Sequence, residues 1–251
     1  METSQTGKPR LKTLWRLSWP AIIEQILTTM VSYVATAMVG VLGAAGTAAV
    51  SVNAAPIWLA NGLLMGVGVG YSVQVSNAIG ARDDERARRI IRQGVLAAIV
   101  VGLLGLLIYQ SLAGLIPRWL GAEPEVLPHA VAYLRFYTMA MPFMAAGQIF
   151  SAILRCMGNT RAPLYFNTAA NLLNIVLNFL LIYPTRPAVL FGAQITIPGA
   201  GLGAAGAAIA SAAALTTAGI ALLRIGTRQG ERFRVHLREG LRPDGAIIRQ
   251  A

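Results

Sequence analysis

Residues 163–183 read PLYFNTAANLLNIVLNFLLIY, a run of 21 residues without a charged side chain. A helix needs about 20 mostly apolar residues to cross the hydrocarbon core of a bilayer, so this run is long enough. It is interrupted by Asn167, Asn171, Asn174 and Asn178. At about 100° per residue these four lie within roughly 60° of one helix face. The stretch therefore predicts a membrane-spanning helix with one polar edge.

The rest of the chain has the same apolar character. Of its 251 residues 55% are hydrophobic and 12% charged, whereas soluble domains carry about 25% charged residues. Six runs reach the spanning length within a predicted transmembrane domain at 17–224, namely 17–41, 51–78, 93–116, 131–154, 163–183 and 201–223. We therefore expect an all-α, polytopic membrane protein with six transmembrane helices.

The basic residues predict the orientation. With the N-terminal segment 1–16 in the cytoplasm, 18 of the 21 Lys and Arg residues fall on the cytoplasmic side, and only Arg118, Arg135 and Arg186 fall outside. This asymmetry follows the positive-inside rule, so both termini are expected to be cytoplasmic. The basic tail 225–251 is expected to lie along the anionic inner leaflet. We assign the net charge of +11 to topology and expect no nucleic-acid partner, because aromatic residues are not interleaved with the basic ones.

Two local patterns predict helix contacts and helix ends. GLLMGVGVG places Gly62, Gly66 and Gly70 on one face, and in an apolar helix this spacing is typical of close helix packing rather than of a phosphate-binding loop. The basic run from Arg82 to Arg92 predicts a short surface helix that begins with two aspartates, which complement the helix dipole.

Motifs for catalysis or metal binding are absent from the sequence. It has no HExxH, no GxSxG and no pair of aspartates within the apolar runs. Cys156 is the single cysteine, and His129 and His236 are far apart. These features favour a protein that is not an enzyme and that has neither a metal site nor a cofactor.

Glu24 is the one acidic residue inside a predicted span. A lone carboxyl group at this depth is costly, so it is expected to face protein or a wet cavity. Thr28 and Ala35 follow it by four and eleven residues and share its face. Pro20 removes a backbone hydrogen bond and predicts a hinge in this helix. An interfacial glutamate that pairs with Gln25 or with a neighbouring helix is the alternative interpretation.

The asparagine edge also has two interpretations. Hydrogen bonds from side-chain amides between membrane helices contribute about 0.6–2 kcal/mol each, so the four asparagines could simply hold helices together. Four amides on a narrow face, over about 16 Å, require more partners than one neighbouring helix supplies. We therefore favour a hydrated internal cavity. Its candidate lining residues are Glu24, Thr28, Asn171, Asn174 and Asn178.

Several stretches together resemble one known family. They are WPAIIEQILTTMVSYVATAMVGVLGAAGTAAVSV (19–52), GVGVGYSVQVSNAIGARDDERARRIIRQG (66–94), ILRCMGNTRAPLYFNTAANLLNIVLNFLLIY (153–183) and IPGAGLGAAGAAIAS (197–211). Each string is loose by itself. In this order and spacing the chain resembles, over essentially its whole length, the MATE family of multidrug and toxin extrusion transporters.

The resemblance implies a secondary antiporter of the bacterial inner membrane that exports organic, often cationic, compounds in exchange for protons or sodium. Such proteins have two six-helix lobes around a central cavity, and this chain resembles the first lobe. LRPDGAIIRQ (241–250) resembles the linker before the seventh span. The implied partners are the lipid bilayer, small organic cations and a second six-helix lobe. That lobe is expected either from the missing half of a longer protein or from a second copy in a homodimer.

This sequence departs from the family pattern at two positions. Where many members read VDTAMVG, residues 34–40 read VATAMVG, so the coupling aspartate falls on Ala35 and is lost. A second aspartate of some members falls on Asn178. Coupling is then expected from Glu24, from the other lobe, or not at all. Two alternatives stay open: a lipid-linked glycan flippase, whose cavity is expected to be strongly basic, and a degenerate half that does not transport.

Overall fold

A computed structural model describes residues 7–190, 193–228 and 247 of the chain. Side chains are described in these ranges except at 7–14, 16, 17, 20, 21 and 186–197. In chain order the elements are α1 (Gly7–Gly40), α2 (Gly43–Gly80), α3 (Asp84–Leu112), α4 (Ile116–Trp119), α5 (Leu127–Thr138), α6 (Met141–Cys156), α7 (Arg161–Ile182), β1 (Pro184–Leu190), β2 (Ala193–Ala200) and α8 (Gly203–Arg228). The basic tail 225–251 lies mostly outside the described residues.

The predicted helical membrane fold is confirmed. Within the described ranges, five helices are long and apolar enough to cross a bilayer: α1 from Ile22 onward, α2, α3, α7 and α8. α5 and α6 pass the same test only as a pair, which is bent by 51° at the short break between them and corresponds to the predicted span at 131–154. The connections between most of these helices are short, so consecutive helices run in opposite directions.

The bend corrects the prediction of one continuous span at 131–154. Pro142 stands in the first turn of α6, and in a continuous helix its ring would collide with the carbonyl of Thr138 while its own amide donor would be missing. The helix therefore stops at Thr138 and starts again. Gln110 of α3 donates to the Arg135 carbonyl at 2.8 Å and to the Thr138 hydroxyl at 3.2 Å, which compensates for part of the interrupted backbone pairing.

Two further expectations are corrected at the ends of helices. The basic run 82–92 is not a separate surface helix but the beginning of α3, whose N-cap Asp83 accepts from the Arg86 amide at 2.9 Å. Nothing after Arg92 breaks the helix, so it continues into the membrane. Residues 184–200 connect the predicted spans 163–183 and 201–223, and their turn residues predict a loop. In the structure β1 and β2 instead pair as antiparallel strands. The alternating polar and apolar residues of QITIPGA are typical of a strand.

The glycine contacts differ from the predicted ones. Gly62 and Gly66 are exposed, and a Cβ added at either would meet nothing within 4 Å. Gly68 makes the close approach instead, since a Cβ there would lie 3.1 Å from the Gln148 carbonyl oxygen of α6. The buried face of α2 runs through Leu64, Gly68 and Tyr71. Gly62 and Gly66 lie away from that face. The glycine spacing therefore predicted the helix contact on the wrong side of α2.

Candidate functional site

A cavity of about 610 Å³ lies between α1, α2, the bent pair α5–α6, α7 and α8. Ligand-binding cavities commonly have this size. Its polar lining includes Glu24, Gln25, Thr28, Ser32, Asn61, Tyr137, Gln148, Ser151, Arg155, Asn167, Asn171, Asn174 and Ser211. Its apolar lining includes Met65, Val69, Phe143, Met144 and Leu215. Neither α3 nor α4 contributes a residue to this wall.

Two side-chain pairs join α1 to α7 along one edge of the cavity. The Asn167 amide donates to Glu24 Oε1 at 2.6 Å, and the Asn171 amide donates to Thr28 Oγ1 at 3.2 Å. Both pairs join residues 143 positions apart in the chain. Since each helix advances by four residues between the two pairs, α1 and α7 run in the same direction with their polar faces in register. We call these two pairs the α1–α7 ladder.

Glu24 is also bound to α6 by an ion pair. The Arg155 Nη2 atom donates to Glu24 Oε1 at 2.8 Å. The Glu24 side chain is 11% exposed and that of Arg155 is 38% exposed. Glu24 Oε2 is buried and has no hydrogen-bond partner in the described part of the chain. Glu24 therefore pairs with two neighbouring helices and also lines the cavity, so the structure does not separate the two interpretations of this residue.

The other half of the asparagine edge faces α8. The Asn174 amide donates to Ser211 Oγ at 3.1 Å, and the Asn178 amide donates to Asn174 Oδ1 at 3.1 Å. Asn178 is fully buried and does not line the cavity. Asn167, Asn171 and Asn174 do line it. The two interpretations of the asparagine edge are therefore compatible, because these amides bond to neighbouring helices and three of them also form the cavity wall.

Ala35 lies on the cavity wall, where it presents a methyl group. The ladder offset of 143 places position 35 level with position 178 on the two parallel helices. The two positions at which the family resemblance implies carboxylates therefore lie at one level, and both are neutral here. Pro20 falls inside α1, but its side chain lies outside the described residues, so the hinge stays a prediction.

Arg155 was missed as a site residue by the sequence interpretation. The positive-inside rule assigns it to a cytoplasmic loop, whereas it lies in the last turn of α6 and lines the cavity. Gln148 and Ser151 share its face, with the same three- and four-residue spacing as the asparagines of α7. That spacing, together with the need of a buried Glu24 for a cation, was the available signal.

Comparison with known proteins agrees with this geometry. The MatE family model matches residues 20–180, which include α2, α3, α5 and α6 completely and most of α1 and α7. The chain belongs to the MatE family.

Relatives of this MatE chain include two proteins named as probable multidrug resistance proteins NorM. The one from Chromobacterium violaceum is 30% identical over 167 residues, which cover 66% of this chain and 36% of the relative. The one from Thermotoga maritima is 29% identical, with 68% and 37% covered. A crystal structure of MATE in complex with MaD3S is 23% identical with a TM-score of 0.82, and the match covers 95% of this chain and 50% of that one. The chain therefore has the fold of half a MATE transporter.

Proposed function

We propose that this chain is one lobe of a secondary transporter that exports small organic compounds across the bacterial inner membrane. The observation that carries the proposal is the 610 Å³ cavity between five membrane-spanning helices, with amides, hydroxyls and one ion pair on its wall. Polar groups inside a membrane domain are costly and typically mark a transport pathway. The names of the NorM relatives support export of drug-like compounds.

The proposal includes coupling to a proton or sodium gradient. Because Ala35 and Asn178 are neutral, the carboxylate of Glu24 is the one acidic group on the described cavity wall. Any coupling within this lobe would therefore pass through Glu24, whose second oxygen has no partner among the described residues. Coupling through the other lobe is the alternative.

A second six-helix lobe is the proposed partner. The solved MATE chain is twice as long as the matched part. The outer faces of α1 and α2 expose large apolar side chains, such as Tyr33 at 73% and Trp58 at 80%. Lipid, a second lobe, or both would cover these faces. The second lobe is supplied either by a longer protein or by a second copy of this chain.

The proposal is tested with energised membrane vesicles. Vesicles that contain the chain, alone or together with a MATE second lobe, are loaded with ethidium, and an imposed proton or sodium gradient should accelerate dye loss. Asn171→Leu removes an amide from the cavity wall and should slow the loss. Arg135→Gln serves as the control, because Arg135 does not line the cavity. Absence of gradient-dependent loss in both preparations, across several organic cations, zwitterions and anions, would contradict the proposal.

The cavity favours the exporter over the glycan flippase. A flippase for anionic lipid-linked glycans is expected to have a strongly basic cavity, whereas the positive charge of Arg155 is offset here by Glu24 at 2.8 Å. A degenerate lobe without transport would show dye loss that no gradient changes.

A further inference from the structure

The charge on the cavity wall is confined to one ion pair. Among the described lining residues only Glu24 and Arg155 are charged, and they bind each other. The remaining polar lining groups are amides and hydroxyls. The formal charge of this wall is therefore zero, and it offers no net attraction to a simple organic cation.

The two members of the pair are presented unequally to a ligand in the cavity. Glu24 Oε1 already accepts from both Arg155 and Asn167, and Oε2 is buried. The Glu24 side chain is thus only 11% exposed, against 38% for Arg155. A ligand inside the cavity therefore meets the guanidinium group rather than a carboxylate oxygen.

The Arg155 guanidinium keeps donors for a ligand. It has five N–H groups in a planar fork, and within the described part of the chain the bond to Glu24 is the one that it makes. Such a fork matches the geometry of a carboxylate, and charge-assisted bonds of this kind are about twice as strong as neutral ones. The Ser151 hydroxyl lies one turn away on the same face of α6, and Phe143 and Met144 offer an apolar surface farther along.

We propose that Arg155 is the ligand-recognition residue of this cavity, and that it selects organic molecules carrying a carboxylate over otherwise similar molecules without one. Zwitterions and organic anions are then preferred over simple cations. The inference rests on the proposed function only in taking this cavity as the transport site, and it narrows the expected substrate class.

Two rhodamine dyes provide a matched pair of probes. Rhodamine 110 carries a free benzoate, and rhodamine 123 is its methyl ester with the same fluorophore. Binding of each dye to the purified full chain in lipid nanodiscs is measured by fluorescence polarisation, without any gradient. We expect rhodamine 110 to bind about tenfold more tightly or better, the effect of one charge-assisted hydrogen bond.

Variants of the ion pair test the role of Arg155. Arg155→Gln should abolish the difference in affinity between the two dyes, because it weakens the binding of rhodamine 110. Because this change leaves Glu24 without its cation, the double variant Glu24→Gln/Arg155→Gln keeps the site neutral and should give the same result. Glu24→Gln alone removes the competing carboxylate, so the preference for rhodamine 110 should increase. Arg135→Gln, outside the cavity, should keep the wild-type preference.

Equal affinities of the wild-type chain for the two dyes would overturn the inference. So would a preference that survives in the double variant. Because the binding measurement needs no gradient, the failure of transport would leave it interpretable. Gradient-driven export of both dyes at one rate, combined with equal binding, would contradict the role of Arg155 while supporting the proposed function.

Discussion

Ala35 and Asn178 are the residues at which this lobe differs most from what its family resemblance implies. The α1–α7 ladder places them at one level, where Asn178 Oδ1 is buried without a partner in the described ranges. The rest of the cavity wall carries amide and hydroxyl side chains. The cavity wall is therefore polar, and among its described residues Glu24 carries the one carboxylate.

A carboxylate at position 35 should restore a cation response. In Ala35→Asp, the new group would lie on the cavity wall level with Asn178, and a cation bound there would stabilise the folded state. We expect the melting temperature of the purified chain to rise by about 2–4 °C when sodium is added or the pH is lowered. A stabilisation of about 1 kcal/mol produces a shift of this size in a chain of this length.

Ala152→Asp is the matched control for this prediction. Ala152 also lines the cavity, but it belongs to α6. A melting temperature that responds equally to cations in both variants, or in neither, would show that position 35 has no special role.

The sequence predicts Glu24, Thr28, Asn171 and Asn174 on the cavity wall, but it does not by itself assign Arg155 to that wall. Thr28, Asn171 and Asn174 stand at helical spacing in apolar runs, and the cost of placing amides and hydroxyls in lipid directs them inward. An arginine near the end of a span fits a topological role equally well. Its partner Glu24 lies 131 positions away in the chain. Only the folded structure, which brings the two side chains to 2.8 Å, distinguishes the two roles.

At the scale of helices, glycine residues determine where two helices can approach each other closely. A Cβ at Gly219 of α8 would collide with the Phe143 backbone of α6. Small residues allow this approach, and membrane helices associate largely through such packing. The close approach of α6 and α8 at this point therefore requires a glycine at position 219.

Gly219→Ala should destabilise the chain, because backbone atoms cannot move aside as a flexible side chain can. We expect a loss of about 1–3 kcal/mol, the usual cost of overpacking, measured as unfolding in detergent. Gly66→Ala is the control: its added methyl group would meet open space, and alanine favours a helix by up to about 1 kcal/mol. Equal destabilisation by the two changes would contradict the packing of α6 against α8.

The sequence predicts the spanning helices, but it misses the short helix α4 and predicts a separate surface helix at 82–92 where α3 begins. Length and hydropathy located all six crossings, because an apolar run of about 20 residues has few other stable arrangements. The break between α5 and α6 was missed although Pro142 marks it in the sequence. The hairpin β1–β2 was missed because its turn-forming residues were interpreted as a loop, and its alternating pattern was given no weight.

For the whole molecule, the distribution of basic residues predicts which ends of the helices face the cytoplasm. Alkaline phosphatase fused after Glu123, between α4 and α5, should be active, because this turn is predicted to lie outside. Green fluorescent protein fused after Asn159, between α6 and α7, should fluoresce. The reverse pattern would show an inverted lobe, and activity of both reporters at both sites would contradict a single orientation.

The constant spacing of 143 residues between paired positions of α1 and α7 limits where insertions and deletions can occur in the gene. One codon inserted after Asn171 would turn the rest of α7 by about 100° and advance it by 1.5 Å. Asn174 would then leave Ser211, and Asn178 would turn out of its buried position. A substitution in this region leaves the register of α1 and α7 unchanged, whereas an insertion or deletion does not, so its residue count is constrained. Insertions and deletions should accumulate in the turns and in the β1–β2 hairpin, and not between residues 167 and 178.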